Sequence, residues 1–323
     1  MEQKGKNGQI EALRGIIMFM IMFYHYTCRF ESLYGIETIG FFSLNQWGEI
    51  GVGCFFVISG YFMIPRNLSE YHIKDYLRKK IVRLYPAYLL CMTVTYLSIS
   101  IFGLEGRETD FKEYLLNVIM LNGFIGVDYV DGAHWYLTYL LLFYIIISIF
   151  LKAGFCKKQM IIIWTIINVV LKISVNFIPQ FSLLYKLSGG KYLSFVAIGI
   201  LLGEVLHNDK EESRWKFFLF FFMIISILTD YGIITTGGIL FFLLFYVLAV
   251  KNKLSILNRQ VFIKLGGISY IVYLLHQNIG YQILLFFYDI WDKFYTFFVF
   301  IPMILIIVLA FGIQSLKQFQ WKK

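Results

Sequence analysis

Apolar residues run along this chain in stretches of about 17–20, the length that carries an α-helix across a hydrocarbon core of roughly 30 Å. They fall near residues 10–30, 48–65, 82–103, 134–152, 159–178, 190–206, 216–231, 233–250, 268–287 and 296–315. Lipid offers no partner to an unpaired backbone amide, and the stretches lack the short alternating pattern of barrel strands, so each predicts a helix. The pattern predicts an all-α integral membrane protein with about ten transmembrane helices. One further stretch, 111–127 (FKEYLLNVIMLNGFIGV), is apolar enough to cross but holds Asn117 and Asn122, which need partners that lipid cannot give.

Composition agrees with a lipid solvent. Of the 323 residues 59% are apolar and 15% charged, with 34 Phe and 23 Tyr, too little polar surface to wet a soluble fold of this length. The net charge of +9 comes from short basic clusters between apolar runs, which is how cytoplasmic loops look, so no nucleic-acid partner is expected. With the N-terminus inside, 22 of the 29 Lys and Arg lie on the inner side, including Lys4, Lys6, Arg14, Arg66, Arg78, Lys79, Lys80, Arg83, Lys210, Lys322 and Lys323. The other seven, Arg29, Arg107, Lys112, Lys172, Lys186, Lys191 and Lys293, lie outside. A crossing at 111–127 would reverse the downstream loops and put 13 basic residues outside against 4 inside. That stretch is therefore predicted to be an interfacial or re-entrant segment on the outer face, with both chain termini cytoplasmic.

The first run carries Arg14 and is followed by no small-residue cleavage site, so it is expected to stay in the protein. With four Pro and no repeat or low-complexity linker, residues 1–323 read as a single membrane domain with no appended soluble domain. Cys28, Cys54, Cys91 and Cys156 stand far apart with no CxxC pair, which predicts packing residues rather than a disulfide framework or a metal site.

Ionisable groups inside spans are costly and usually face a cavity, so they mark candidate chemistry. Arg14 and His25 are eleven residues apart, and eleven steps of about 100° bring a side chain back to within about 20° of its starting direction. They share one face, separated by about 16 Å along the axis. A cation at the inner mouth and an imidazole deeper in would suit an elongated anionic cofactor entering from the cytoplasm, phosphates first. The plainer alternatives are a snorkelling anchor for Arg14 and a helix-packing residue for His25.

In GEIGVGCFFVISGYFM, Gly48, Gly51, Gly53 and Gly60 leave one helix side bare for close packing. Glu49, at about the depth of His25, could orient an imidazole or simply be a solvated loop carboxylate. Lys80 and Arg83 sit one helical turn apart before a span, placed to hold donor phosphates or anionic headgroups. His134, Trp135 and Tyr136 open a span at the outer face, where an aromatic belt would also explain Trp and Tyr. LGGISYIVYLLHQNIGYQIL puts Ser269, Tyr270, Tyr273, His276, Gln277 and Asn278 at mid-membrane depth, as helix-to-helix hydrogen bonding or as a wet substrate cavity.

Five stretches, IEALRGIIMFMIMFYHY, GVGCFFVISGYFM, RKKIVRLYPAYLL, HWYLTYLLLFY and LGGISYIVYLLHQ, together resemble the acyltransferase-3 family of integral membrane O-acyltransferases in order and spacing. The resemblance implies transfer of an acyl group, commonly acetyl, from cytoplasmic acyl-CoA (acetyl-CoA) to a hydroxyl on a carbohydrate or lipid-linked glycan, in a bacterial plasma membrane. It places the family's catalytic Arg and His on Arg14 and His25. It also implies donor binding by Arg14, Lys80 and Arg83, although the family carries Arg where Lys80 stands, so the bidentate fork is lost. Glu49, His134, Trp135, Tyr273, His276 and Gln277 are the candidate acceptor-binding residues. Ten spans with buried polar groups would also suit a transporter or flippase for a lipid-linked glycan. No inverted repeat or paired Gly/Pro interruption supports that alternative.

Overall fold

In the computed structural model the structure describes residues 7–36, 38, 45–65, 72–207, 214–290 and 298–320. Lys4, Lys6, Arg66, Lys210, Lys293, Lys322 and Lys323, which enter the charge count above, lie outside the described residues. The described residues form helices and loops with no strand. In chain order the helices are α1 (Gly8–Tyr24), α2 (Phe30–Tyr34), α3 (Gln46–Tyr61), α4 (Ile73–Phe102), α5 (Phe111–Asn117) and α6 (Trp135–Lys152). They continue as α7 (Lys157–Val175), α8 (Ser182–Leu187), α9 (Leu193–His207), α10 (Arg214–Val250), α11 (Gln260–Ile290) and α12 (Phe300–Gln320). Among the described residues, each apolar stretch predicted to span falls on a helix. Among the described residues four segments, Ile73–Phe102, Gly132–Lys152, Lys157–Val175 and Arg214–Val250, are long and apolar enough to cross a membrane. A fifth arises if the pair Pro179–Leu187 and Gly190–Leu206, bent by 43°, acts as one span.

Two predicted spans, 216–231 and 233–250, meet in α10. As one straight helix its 37 residues would reach about 55 Å, nearly twice a hydrocarbon core. The helix is broken at Gly232, whose φ of 78° and ψ of −179° belong to a region essentially reserved for glycine. The doubtful stretch 111–127 holds the short α5, seven residues or about 10 Å long, and a single 3-10 turn at Asn122–Phe124. It starts on a capping box between Asp110 and Glu113 and ends at Asn117. The amide Nδ2 of Asn117 donates to the carbonyls of Glu113 (2.9 Å) and Asp128 (2.8 Å), while its Oδ1 accepts from the Val130 amide at 3.2 Å. Asn122 donates to the carbonyls of Val127 and Asp128. The two asparagines thus satisfy backbone groups of a chain that turns back on itself.

The helices gather into two compact units, one comprising Met1–Gly51, Pro86–Trp135 and Leu240–Lys323, the other Val52–Tyr85 and Tyr136–Ile239. In the first unit α1 packs along α11, and α11 along α12. α1 and α11 run parallel and in step: Gly8 lies against Ile263, Gly15 against Gly266 and Tyr26 against Gly280. A Cβ on Gly15 would stand 2.9 Å from the Gly266 amide nitrogen, and one on Gly266 would overlap the Glu11 carbonyl oxygen. The backbones therefore touch at this crossing, as small residues permit between membrane helices. Asn7 caps α1, its Oδ1 accepting from the Gln9 amide at 2.9 Å, and its Nδ2 donates to the Ala249 carbonyl at 2.7 Å, tying the end of α10 to the start of α1.

In the second unit α3 and α9 make an equally close crossing, where Gly60 faces the Val196 carbonyl and Gly199 the Val57 carbonyl. Lys172 pairs with Asp230 (2.6 Å) and Lys157 with Glu204 (2.8 Å). Large apolar side chains also face outward: Phe102, Phe177 and Ile233 are each more than three-quarters exposed, while Asp131 and His276 are completely buried. The cysteines correct one expectation. Cys28, Cys54 and Cys91 are buried, but Cys156 is exposed, because it precedes the first turn of α7 and its amide donates to Gln159 Oε1 at 3.1 Å.

Candidate active site

α1 is regular from Gly8 to Tyr24 and passes at His25–Arg29 into a turn of π-helix. Such turns insert a residue into the helix ladder and re-aim the side chains beside it. Thr27 stabilises this one by donating its hydroxyl to the Phe23 carbonyl at 2.7 Å. The partly buried His25 imidazole that opens the turn points at α11 rather than outward. Its Nδ1 is hydrogen-bonded to the Tyr281 hydroxyl at 3.2 Å, and its ring stands edge-on to that of His276, centroids 4.9 Å apart at 75°. Tyr26, fully buried, donates to the His276 carbonyl at 2.7 Å. The amide of Gln277 reaches the Tyr281 hydroxyl.

The third side of the site is the segment Asp131–His134, ahead of α6. Asp131 Oδ1 accepts from the Ala133 amide (2.9 Å) and Oδ2 from the Asn278 amide (3.0 Å), while His134 Nε2 lies 3.1 Å from the Leu274 carbonyl. Leu274 and Asn278 are four apart on α11, so two side chains of this segment address the carbonyl and the amide of one helical turn. Tyr273 donates to the Ala133 carbonyl and Asn278 Nδ2 to the Val130 carbonyl. Gly132 leaves room for the Gln277 amide and for the Arg107 guanidinium, each about 3 Å from where its Cβ would stand.

Carbonyl oxygens only accept, so a ring nitrogen bonded to one must carry hydrogen. His276 Nδ1, 2.7 Å from the Tyr273 carbonyl, is thereby N–H, and so is His134 Nε2. The opposite nitrogens, His276 Nε2 and His134 Nδ1, are lone-pair acceptors. Both are buried and have no hydrogen-bond partner, as are Asn278 Oδ1 and Gln277 Oε1. Buried polar atoms of native proteins are seldom left so. A site that gathers several of them next to a partly buried imidazole is built for hydrogen-bond donors.

The structure gathers His25, His134, Tyr273, His276 and Gln277, named from the sequence, into this one place, with Trp135 partly buried beside His134. Glu49 is exposed at the start of α3, and the group that meets His25 Nδ1 is the Tyr281 hydroxyl. Arg14 lies below on α1, paired with Glu11 at 3.2 Å. On the other unit Lys80 donates to the Phe62 carbonyl at 3.2 Å with its ammonium 4.9 Å from the Tyr144 ring centre, and Arg83 is exposed. The sequence reading missed Asp131, Tyr281, Arg107 and the π turn. For Asp131 a signal was present, since an Asp just ahead of a predicted helix is a capping residue.

The model of an acyltransferase domain matches residues 7–313. The chain belongs to the acyltransferase-3 family. A protein of Acidianus two-tailed virus named "Putative acetyltransferase ORF330" is 24% identical over 290 residues, which cover 85% of this chain and 83% of that protein. No solved structure matches. The protein is an acyltransferase with membrane-capable helices.

Proposed function

We propose that the protein is a ten-span O-acyltransferase of a bacterial plasma membrane. In this reading it moves an acyl group, acetyl in the first instance, from cytoplasmic acyl-CoA to a hydroxyl of a cell-surface or lipid-linked carbohydrate. The topology is supported by the parallel course of α1 and α11. If both start in the cytoplasm, an odd number of crossings must separate them. α3, α4, α6, α7, α9 and the two halves of α10 make seven, provided Gly232 divides α10 and α5 stays on the outer side. With α12 the total is ten and both termini are cytoplasmic.

Arg14 on the first unit anchors donor phosphates, and Lys80 and Arg83 carry like charge for the same donor on the second. The present partner of Arg14, Glu11 one turn earlier on α1 at 3.2 Å, is exchanged for a phosphate. His25 is the general base. An alcohol is too weak an acid to ionise appreciably at neutral pH, whereas an imidazole exchanges protons there. The acceptor hydroxyl gives its proton to His25 Nε2 as its oxygen bonds to the thioester carbonyl carbon. The carbon–sulfur bond then breaks, and the CoA thiolate takes the proton back. His134 and Gln277 accept hydrogen bonds from the acceptor's hydroxyls. Glu49 and Trp135 flank the approach, and Tyr273 holds the 131–134 segment against α11.

The observation that carries this reading is the His25 ring, turned into a buried cluster of unsatisfied acceptors. The test is release of free CoA by purified protein given radiolabelled acetyl-CoA and a glycan acceptor. His25→Ala and His25→Gln, matched for expression, should lose activity by at least about 100-fold. A wild-type rate in either variant refutes the role of His25.

A further inference from the structure

We infer that His276 is the partner that carries the proton-loaded state of His25, acting through that ring rather than on substrate; this rests on the reading of His25 as the base. An imidazolium has two N–H groups, and in a buried site each needs an acceptor. The Tyr281 hydroxyl, 3.2 Å from Nδ1, supplies one. The other nitrogen, Nε2, receives the substrate proton. Once the new ester bond has formed, the acceptor oxygen has lost its negative charge and no longer holds that N–H well. Until the thiolate removes the proton, the cation needs another acceptor. His276 offers one: its Nδ1 hydrogen is committed to the Tyr273 carbonyl, its Nε2 lone pair is buried without a partner, and its ring is edge-on to His25 with centroids 4.9 Å apart. With the ring centroids 4.9 Å apart, ring nitrogens that face each other stand within hydrogen-bond reach.

The surroundings hold His276 in place for this role. Asp131 and His134 act on His276 from the segment ahead of α6. Asp131 also fixes the turn of α11 that carries His276, through the Asn278 amide at 3.0 Å. The proton balance is unchanged: one proton leaves the hydroxyl, is shared between two neutral imidazoles as imidazole and imidazolium, and ends on sulfur.

The test compares His276→Leu, which removes the acceptor, with His276→Gln, whose amide oxygen can replace it, in membranes of matched expression assayed with radiolabelled acetyl-CoA and glycan acceptor. Losing one charge-assisted hydrogen bond in the transition state should lower kcat about 10- to 100-fold at unchanged KM for the donor. His276→Gln should recover part of the loss. Combined with His25→Ala, His276→Leu should cost nothing further, because residues that act as a unit are not additive. Wild-type kcat in His276→Leu overturns the inference while leaving His25 as base, provided His25→Ala is inactive. So does full additivity of the two losses. If His276→Leu does not fold, the decision falls to His276→Gln: reduced kcat with unchanged KM and no further loss on adding His25→Ala supports the inference, and any other result overturns it. Activity in His25→Ala removes the base itself, a different failure.

Discussion

The α1–α11 crossing can be tested with three glycines whose surroundings differ in a graded way. Gly15, Gly266 and Gly267 all lie in helix, so replacing any of them by Ala gains up to about 1 kcal/mol of helix propensity. Gly267 has open space where a Cβ would go, and Gly267→Ala should be neutral or stabilising by that amount. A Cβ on Gly15 would meet the Gly266 nitrogen at 2.9 Å and the Leu265 carbonyl carbon at 3.2 Å. Both are backbone, so the helices must part by roughly half an ångström, near the lower end of the about 1–3 kcal/mol that overpacking costs. Gly15→Ala should come out close to zero. A Cβ on Gly266 would overlap the Glu11 carbonyl, again backbone, and the cost belongs at the upper end, for a net loss of about 2 kcal/mol. The same opening, transmitted about three turns along the parallel pair, separates His25 from His276, and a shift of about 1 Å at reacting groups costs on the order of 100-fold in rate. Thermal unfolding in detergent gives the stability order and CoA release gives the rates. Equal stability and equal rates for Gly266→Ala and Gly267→Ala would show that this contact does not set the site.

Two further outcomes follow from the geometry. Gly232→Ala should destabilise by about 1–3 kcal/mol through backbone strain alone, since a Cβ there meets nothing, whereas Gly237→Ala, equally open but within the helix, should not. Matched unfolding temperatures for the two would remove the case for a required break in α10. Asp131→Ala strands two buried amides, Ala133 and Asn278, and should cost about 3 kcal/mol or more, while Asp131→Asn, which keeps one acceptor oxygen, should lose less; thermal unfolding that ranks them the other way contradicts the role given to Asp131.

The helices were legible in the sequence because apolar run length is a local property, and the described parts of the ten stretches named as spans fall on helices. The asparagines of 111–127 were legible too, because a polar side chain in an apolar run must find a partner nearby, and Asn117 and Asn122 find theirs within 13 residues. The wiring of the site was not legible. His25 meets Tyr281 across 256 positions, Tyr26 meets the His276 carbonyl across 250 and Asp131 meets the Asn278 amide across 147; no periodicity encodes which helices touch. Tyr281 is one tyrosine among 23, and only contact with His25 distinguishes it. Arg107 was counted as an outer-loop charge, a role that does not reveal that its guanidinium sits beside Gly132. The π turn is set by how α1 lies on α11, and HYTCR alone carries no sign of it. The glycines of α3 show the opposite case. Their spacing announced close packing, and Gly60 finds it against Val196.

The buried centre is one-sided in its chemistry, and this limits what it can hold. In a purely structural polar network the side chains satisfy one another, donor against acceptor. Here His134, His276 and Asn278 each spend a donor on a backbone carbonyl and keep an acceptor unspent. A molecule rich in hydroxyls suits the unspent lone pairs of His134 and Asn278: each hydroxyl can donate to one of these atoms and still present an oxygen lone pair for attack. The fixed tautomers of the two histidines thus fit the alcohol acceptor of the proposed function. They are fixed through backbone carbonyls, so the fit should survive changes to the side chains around them.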